Sequence, residues 1–303
     1  MAVKTVQAVV NGQTHTLNLN SATGKYETTI TAPEKSSYPL SGHYYPVTVK
    51  AEDVAGNVTT ADHEHSTLGE SLKLKVKEKT APVIAIIYPT ASAAIANNKP
   101  TIRWKVTDND SGVNQNTIGI TIDQGSKITG PAIVKKAVTG GYECSYTPSQ
   151  AMTDGQHTIK LDASDNDGNA AVQKSVQFKV DTVPPTLNLN NPVEDFVTNK
   201  LDILIDGTTN DLTSSPVTVT YKINNGEAVM VTVNSDGKFS ITAKGINGEN
   251  TIAVTARDSA GKETTITRHL TIDTVAPVIR AVTITPNPVD SGKTYIISVE
   301  VTD

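Results

Sequence analysis

Five oxygen-bearing side chains fall in two short segments near the middle of the chain. Asp108 and Asp110 form one group, and Asp165, Asp167 and Asn169 form the other. Carboxylate and amide oxygens, without thiol or imidazole, are the ligands that Ca²⁺ takes in sets of six to eight. Where two such loops meet at one end of a fold, they predict a weak calcium site, with a Kd of about 10⁻⁴ to 10⁻³ M. The alternative is that these residues cap turns, as Asp and Asn do in most loops.

A poorer set of the same residue types follows further along the chain. It comprises Asn210, Asp211 and Asp258, with Lys262 at the position where the earlier loop has Asn169. Lysine brings a positive charge instead of an oxygen ligand. We therefore expect calcium less here than at the first two loops.

Aromatic rings concentrate in one loop near the amino end, residues 36–46. Its rings are those of Tyr38, His43, Tyr44 and Tyr45, which include three of the nine tyrosines. Aromatic side chains stack on sugars and anchor protein interfaces, so this loop is a candidate binding patch. The alternative, that the rings pack against their own loop, is the favoured interpretation.

Residues that could serve catalysis are sparse. Cys144 lies in a predicted strand, where we expect a small buried thiol in the core. No motif supplies a general base that would activate it as a nucleophile. His157 and His269 also fall in predicted strands and are expected at surface or edge positions. Serine hydrolase, P-loop and dinucleotide signatures are absent from the sequence. The sequence therefore predicts a protein that is not an enzyme, and calcium is the one cofactor it suggests.

Composition excludes several classes of partner. The net charge is −5, from 26 Lys and Arg against 31 Asp and Glu, which argues against a nucleic-acid-binding surface. No apolar run approaches the roughly 18 residues of a transmembrane helix, so no membrane insertion is expected. One cysteine excludes an intrachain disulfide. No signal-peptide core is seen at the amino end.

Three segments share one pattern and predict a repeated fold. Residues 47–57, 159–169 and 252–262 each read apolar-x-apolar-x-Ala-x-Asp, followed by a loop that contains Gly. Apolar alternation with period two indicates a strand with one buried face, and the Asp-x-x-Gly loop suits a tight connection to a second strand. No segment shows sustained helical periodicity. The fold class predicted is therefore all-β.

Prolines mark the junctions between repeats. Pro82, Pro185 and Pro277 follow similar threonine-containing segments and are 103 and 92 residues apart. That spacing is the length of an immunoglobulin-like (Ig-like) sandwich. We expect tandem Ig-like β-sandwich domains in an extended rod, with modules at 80–181 and 182–273, a short module at 1–79 and the start of a fourth at 274–303.

The two ends of the chain are incomplete by this scheme. The module at 1–79 lacks the first two strands of its sandwich, and residues 274–303 look like those two opening strands alone. One interpretation is a chain cut from a longer array. The other is self-association, in which the unpaired strands of one copy complete the first module of another, because exposed strand edges invite such pairing.

These motifs resemble a known family. The Asp53-Val-Ala-Gly-Asn57 loop and the Asp181-Thr-Val-Pro-Pro185 and Asp273-Thr-Val-Ala-Pro277 junctions are similar to those of bacterial Ig-like repeats. Such repeats occur in cell-surface adhesins and in bacteriophage tail or fibre proteins. The resemblance covers nearly the whole chain, and it specifies the fold far better than the function.

The resemblance implies a non-enzymatic structural or adhesive rod. It would be a phage tail- or fibre-associated protein that acts as a spacer and as a host- or surface-attachment module. The alternatives are a cell-surface adhesin or a carbohydrate-binding accessory module of a larger secreted protein. The partners implied are a protein or glycan receptor on a cell surface and other virion or surface-assembly proteins. The location implied is the virion or the extracellular cell surface.

Overall fold

The computed structural model describes residues 2–303 of the chain. Strands account for 51% of the residues and helix for 3%, so the all-β prediction is confirmed. Helical turns within this range are the short 3₁₀ segments Ser41–His43, Gly69–Leu72 and Gly130–Ala132. Across residues 2–303, no helix is long and apolar enough to span a bilayer.

The chain divides into two compact units. The first extends to Phe178, and the second runs from Lys179 to Asp303. Two short segments, 94–98 and 153–155, belong to the second unit.

The amino-terminal strands form one six-stranded sheet. They are β1 (Val3–Val10), β2 (Gln13–Asn20), β3 (Lys25–Glu27), β4 (Tyr45–Asp53), β5 (Val58–Ala61) and β6 (Lys73–Leu74). Their order is β3-β2-β1-β4-β5, with β6 paired to β4. Asn11 and Gly12 join β1 to β2 with positive φ angles of 49° and 74°, which a two-residue Asn-Gly hairpin turn requires.

The next strands form two four-stranded sheets. They are β7 (Val83–Tyr88), β8 (Ala94–Ile95), β9 (Ile102–Thr107), β10 (Gly119–Ile122), β11 (Val134–Val138), β12 (Gly141–Tyr146), β13 (Gly155–Asp162) and β14 (Lys174–Val180). The sheet orders are β11-β12-β9-β7 and β10-β13-β14-β8. β9 shows period-two alternation, since Ile102, Trp104 and Val106 are fully buried while Arg103 is exposed.

A second sandwich follows in the second unit. Its strands are β15 (Thr186–Asn191), β16 (Phe196–Thr198), β17 (Asp202–Asn210), β18 (Thr218–Ile223), β19 (Val229–Val231), β20 (Lys238–Lys244), β21 (Gly248–Arg257) and β22 (Glu263–Ile272). They pair as β15-β17-β20 and β16-β22-β21-β18-β19. Alternate residues of β17 and β21 fill the core, among them Ile203, Ile205, Ile252 and Val254.

The last two strands pair only with each other. β23 (Val278–Thr285) and β24 (Ile296–Thr302) form a two-stranded sheet in which every side chain is exposed. Ile279 and Ile296 are 65% and 67% exposed, respectively. Within residues 2–303, the apolar side chains of this hairpin have no covering sheet.

Candidate functional site

One group of carboxylates gathers in the first unit, which we call the first carboxylate cluster. It comprises Glu78, Asp108 and Asp165, and the three ligand oxygens lie within 4.8 Å of one another. Asp108 directly follows β9 and Asp165 lies three residues after β13, so the ends of two strands place them. Both aspartates are buried and Glu78 is half-buried. Glu78 was not predicted, because it lies in the segment before the junction proline.

Backbone amides hold the carboxylates of this cluster. Asp108 Oδ1 accepts hydrogen bonds from the amides of Asp110 and Gly112, at 3.0 and 2.7 Å. Asp165 accepts from the backbone and side-chain amides of Asn169, at 2.7 and 2.6 Å. These are Asx-type loop contacts, which supports the alternative interpretation of turn capping for part of the set. The Asn169 amide also donates to the Glu78 carbonyl at 3.1 Å.

Two of the predicted calcium ligands lie outside the cluster. Asp110 Oδ1 accepts from the Ser36 amide at 3.1 Å, and Asp167 Oδ2 accepts from the Glu78 amide at 3.0 Å. Asp110 therefore contacts the backbone of the loop at 36–46, and Asp167 contacts the backbone of the segment that precedes Pro82. Both carboxylates accept backbone hydrogen bonds away from the cluster, and their predicted role as calcium ligands stays a prediction.

Three more carboxylates gather in the second unit, as the second carboxylate cluster. It comprises Asp181, Asp211 and Asp258, with oxygens that again lie within 4.8 Å of one another. Asp181 follows β14, Asp211 follows β17 and Asp258 follows β21. All three side chains are buried, with 1%, 8% and 5% exposure. The sequence favoured the first cluster, yet the second is the more buried of the two.

Hydrogen bonds orient each carboxylate of the second cluster. Asp181 accepts from the Val183 amide at 3.1 Å and from the Ser214 hydroxyl. Asp211 Oδ1 accepts from the amide of Ser214 at 2.6 Å, and Asp258 Oδ1 accepts from the amide of Lys262 at 2.9 Å. Lys262, whose side chain made this site a poorer calcium candidate, thus donates a backbone hydrogen bond to the cluster.

One oxygen of the second cluster is left without a partner. Asp258 Oδ2 is buried and accepts no hydrogen bond from any residue in the described range. Burial raises the pKa of Asp181 above its ordinary value, and the charges of Asp211 and Asp258 raise it further. Both facts indicate excess negative charge in a space that solvent barely reaches.

A spacing in the sequence marks both clusters. Glu78 and Asp181 each lie four residues before a junction proline, Pro82 and Pro185, and so does Asp273 before Pro277. A second aspartate follows each proline by 26 residues, at Asp108, Asp211 and Asp303. The repeat of this spacing was the signal that could have found Glu78 and Asp181.

The aromatic loop packs largely on itself. The rings of Tyr38 and His43 stack with centroids 4.3 Å apart, and Lys73 Nζ lies 5.3 Å from the Tyr44 ring centre. His43 is exposed, whereas Tyr38 and Tyr44 are half-buried. Tyr45 is buried, and its hydroxyl donates to a backbone carbonyl at 3.1 Å. Tyr45 therefore does not belong to an exposed patch.

The structure places Cys144 and the two strand histidines as follows from their burial and contacts. Cys144 is 1% exposed, and burial raises its pKa to about 11. His269 is exposed on β22, as expected. His157 was expected at the surface, and this was wrong: it is buried and its Nδ1 lies 2.8 Å from Asp123 Oδ2. The physical reason is its parity, since His157 shares the inner face of β13 with Ile159.

Two known families match successive parts of the chain. Residues 90–182 match a bacterial Ig-like domain, and residues 185–274 match domain B of glucodextranase. Bacillopeptidase F of Bacillus subtilis (strain 168) is 29% identical over 128 residues, which are 42% of this chain and 8% of that protein. The chain thus spans a small part of this curated relative.

Solved structures with partial likeness include multi-module proteins. The fibronectin(III)-like modules of Clostridium thermocellum CbhA are 18% identical with a TM-score of 0.39, over 63% of this chain and 94% of theirs. A 1.5-MDa bacterial ice-binding adhesin is 18% identical with a TM-score of 0.28, over 90% of this chain and 87% of that structure. Because both TM-scores are below 0.5, neither likeness supports a functional assignment.

Proposed function

We propose that this chain, a tandem Ig-like repeat protein, is a non-enzymatic spacer and attachment component exposed on a phage tail or fibre. The observation that carries the proposal is the succession of β-sandwich modules, one of which matches a bacterial Ig-like domain at residues 90–182. Ig-like domains are typically non-catalytic modules that present surfaces and set distances. The partners we propose are a protein or glycan receptor on the host cell and neighbouring virion proteins.

The aromatic loop is the surface that we propose for attachment. Tyr38 and His43 offer a stacked pair of rings, of which His43 is exposed. Stacked rings present a flat apolar face on which a sugar ring or a partner side chain can rest. Calcium at the first carboxylate cluster belongs to the same proposal, with Glu78 joining Asp108 and Asp165 as the oxygen donors.

Surface labelling tests the location. Antibodies against the whole chain would be applied to intact cells of the source strain and to particles released from them by lysis. We expect gold label on the particles. Label confined to the cell interior would contradict the proposal, and label on intact cell surfaces would transfer the role to a cell-surface adhesin.

Binding of the labelled chain to intact host cells tests the attachment surface. We expect the double variant Tyr38→Ala and His43→Ala to bind at least tenfold less, because it removes both stacked rings. Tyr26→Ala, a half-buried tyrosine on β3 of the same sheet, is the matched control and should bind like the unmodified chain. Equal binding by both variants would exclude the loop as the attachment surface.

A second candidate function is favoured by a separate observation. Residues 185–274 match a domain named for glucodextranase, and the curated relative is by its name a peptidase. These matches support an accessory module of a larger secreted enzyme. Sequencing the gene beyond both ends of this chain decides between the two, since a catalytic domain in the same reading frame would favour the accessory module.

A further inference from the structure

We propose that the apolar side of the β23–β24 hairpin in one copy of the chain docks on the half-covered face of the amino-terminal sheet in a second copy. The partner of this surface is thus a second copy of the same chain, bound head to tail. The inference does not rest on the proposed function, since it concerns only how copies of the chain contact one another.

The hairpin is apolar on one side only. Residues that lie directly opposite each other on β23 and β24 point to the same side, so the cross-strand pairs define its two sides. The apolar side, which we call the hairpin face, holds Ile279, Val282, Ile284, Ile297, Val299 and Val301. Each of these side chains is between 43% and 65% exposed. Thr283, Ser298 and Glu300 lie on the other side, so one side of the hairpin is suited to burial.

Matched positions in the second unit show how such a face is buried. A shift of 92 residues, the spacing of the last two junction prolines, matches Leu187 to Ile279 and Ile205 to Ile297. Leu187 and Ile205 lie on β15 and β17, which pair with each other as β23 and β24 do. Both side chains are buried in the core of their sandwich. The hairpin therefore corresponds to a strand pair that elsewhere closes a sandwich.

The amino-terminal sheet has the complementary deficit. Its strands β2-β1-β4-β5 have the same order as β19-β18-β21-β22 of the second unit, and all of these pairs are antiparallel. In the second unit, the inner side of that sheet shares a core with side chains of β15 and β17. In the described part of the first module, residues 2–79, no counterpart of the β15–β17 pair is present.

Burial at repeated positions shows the consequence. Val254 and Ala256, on the inner side of β21, are fully buried. Their matches in the sequence repeat, Val49 and Ala51 of β4, are only half-buried. The same residue types at the same positions are therefore covered in one module and partly open in the other.

The open side extends onto β2. Val6 lies opposite both Ala51 and Leu17, so the three side chains share one side of the sheet. Leu19 follows Leu17 by two residues and therefore points the same way. Leu17 is half-buried and Leu19 is 57% exposed. We call this side of the sheet, with Val49, the head face.

A free backbone edge adjoins the head face. In the second unit β20 pairs with β17. Its counterpart β3 follows Gly24 as β20 follows Gly237, and β3 is the end strand of its sheet. One edge of β3 thus has no strand partner within residues 2–303, and it can accept β24 as β20 accepts β17.

A competing explanation is that the hairpin faces of two copies pack against each other. That contact would be symmetric and would stop at a dimer. A head-to-tail contact leaves one free head face and one free hairpin face on each complex, so it continues to longer oligomers or closes into a ring.

Sedimentation velocity of the whole chain between about 1 and 100 µM tests the proposal. We expect a mean mass that rises with concentration beyond that of two chains. Val299→Asp on the hairpin face and Leu19→Asp on the head face should each weaken association at least about tenfold, because a charge would be buried against apolar surface. Ser298→Asp and Thr16→Asp, on the other sides of the same strands, are the matched controls and should associate like the unmodified chain.

A mixture of the two variants identifies the partners. The Leu19→Asp copy keeps its hairpin face, and the Val299→Asp copy keeps its head face. An equimolar mixture should therefore form a complex of two chains and nothing larger, although each variant alone stays monomeric. Circular dichroism of each variant checks that its strands are folded.

Three results would overturn the proposal. One is a monomeric unmodified chain across the whole concentration range. Another is association of Leu19→Asp equal to that of the unmodified chain, which would assign the contact to two hairpin faces. The third is a mixture of folded variants that forms no complex. If Val299→Asp fails to fold, Ile279→Asp provides the same comparison.

Discussion

At the scale of single residues, the two clusters differ in how their oxygens are satisfied. In the first, both oxygens of Asp165 accept from the backbone and side chain of Asn169. In the second, Lys262 replaces that asparagine and donates only its backbone amide to Asp258, which leaves Oδ2 without a donor. The lysine at position 262, which made the sequence argument for calcium weaker, is therefore the reason that this buried oxygen has no hydrogen-bond donor.

The buried thiol of Cys144 gives a first prediction at this scale. Because burial raises its pKa to about 11, almost no thiolate is present at pH 8 in the folded chain. We expect a disulfide reagent such as DTNB to react with it at least a hundredfold more slowly in buffer than in denaturant. Free glutathione in the same denaturant is the control. Equal rates in both solvents would mean that the strand around Cys144 is open.

The exposed His269 gives a prediction for pH. A hydrogen bond and the charge of Glu194, 2.8 Å away, raise the pKa of His269 above 6.5 and hold that of Glu194 below 4.5. The pair is thus fully charged between these values; its contribution is lost as pH rises through the His269 pKa or falls through the Glu194 pKa.

The titration of His269 by NMR checks this pair. In Glu194→Gln we expect the His269 pKa to fall toward 6.5, since the main cause of its shift is removed. In Glu249→Gln, which removes the smallest contribution to that shift, the pKa of His269 should stay raised. A His269 pKa that is the same in Glu194→Gln as in the unmodified chain would contradict the contact.

At the scale of elements, Gly207 on the central strand β17 leaves no room for a side chain. A Cβ there would lie 2.1 Å from the Asn188 carbonyl oxygen of β15 and 2.8 Å from the Phe239 ring of β20. We expect Gly207→Ala to destabilise this sandwich by about 1–3 kcal/mol, because the backbones of β17 and β15 must move apart to admit the methyl group. Gly226→Ala, in the turn after β18, should cost less. Equal melting of both variants would show that β17 is not packed as described.

The strands themselves were readable from the sequence, since period-two alternation reports a buried face directly. In β9, for example, alternate residues Ile102, Trp104 and Val106 are apolar, and all three are fully buried. Only some members of the two carboxylate clusters could be predicted from the sequence. Asp108 and Asp165 lie in loops rich in Asp and Asn, which the sequence identifies as candidate cation ligands. Glu78 lies in a junction segment, where no alternation of apolar residues predicts the direction of a side chain.

At the scale of the whole molecule, the sandwich of the second unit buries an aliphatic core of its own. The second-unit core, which includes Ile203, Ile252 and Ile272, is drawn entirely from residues 187–272. Trp104, the only tryptophan, lies fully buried in the preceding sandwich. Its fluorescence therefore reports the unfolding of that sandwich and of no other.

Independent folding of the modules is the central claim, and a two-signal melt of Gly207→Ala tests it most directly. Calorimetry follows all transitions, while tryptophan fluorescence follows only the sandwich around Trp104. We predict that the variant loses at least about 4 °C from one calorimetric transition and leaves the fluorescence midpoint within 1 °C of its original value. Equal movement of both signals, or a single shared transition, would contradict the claim.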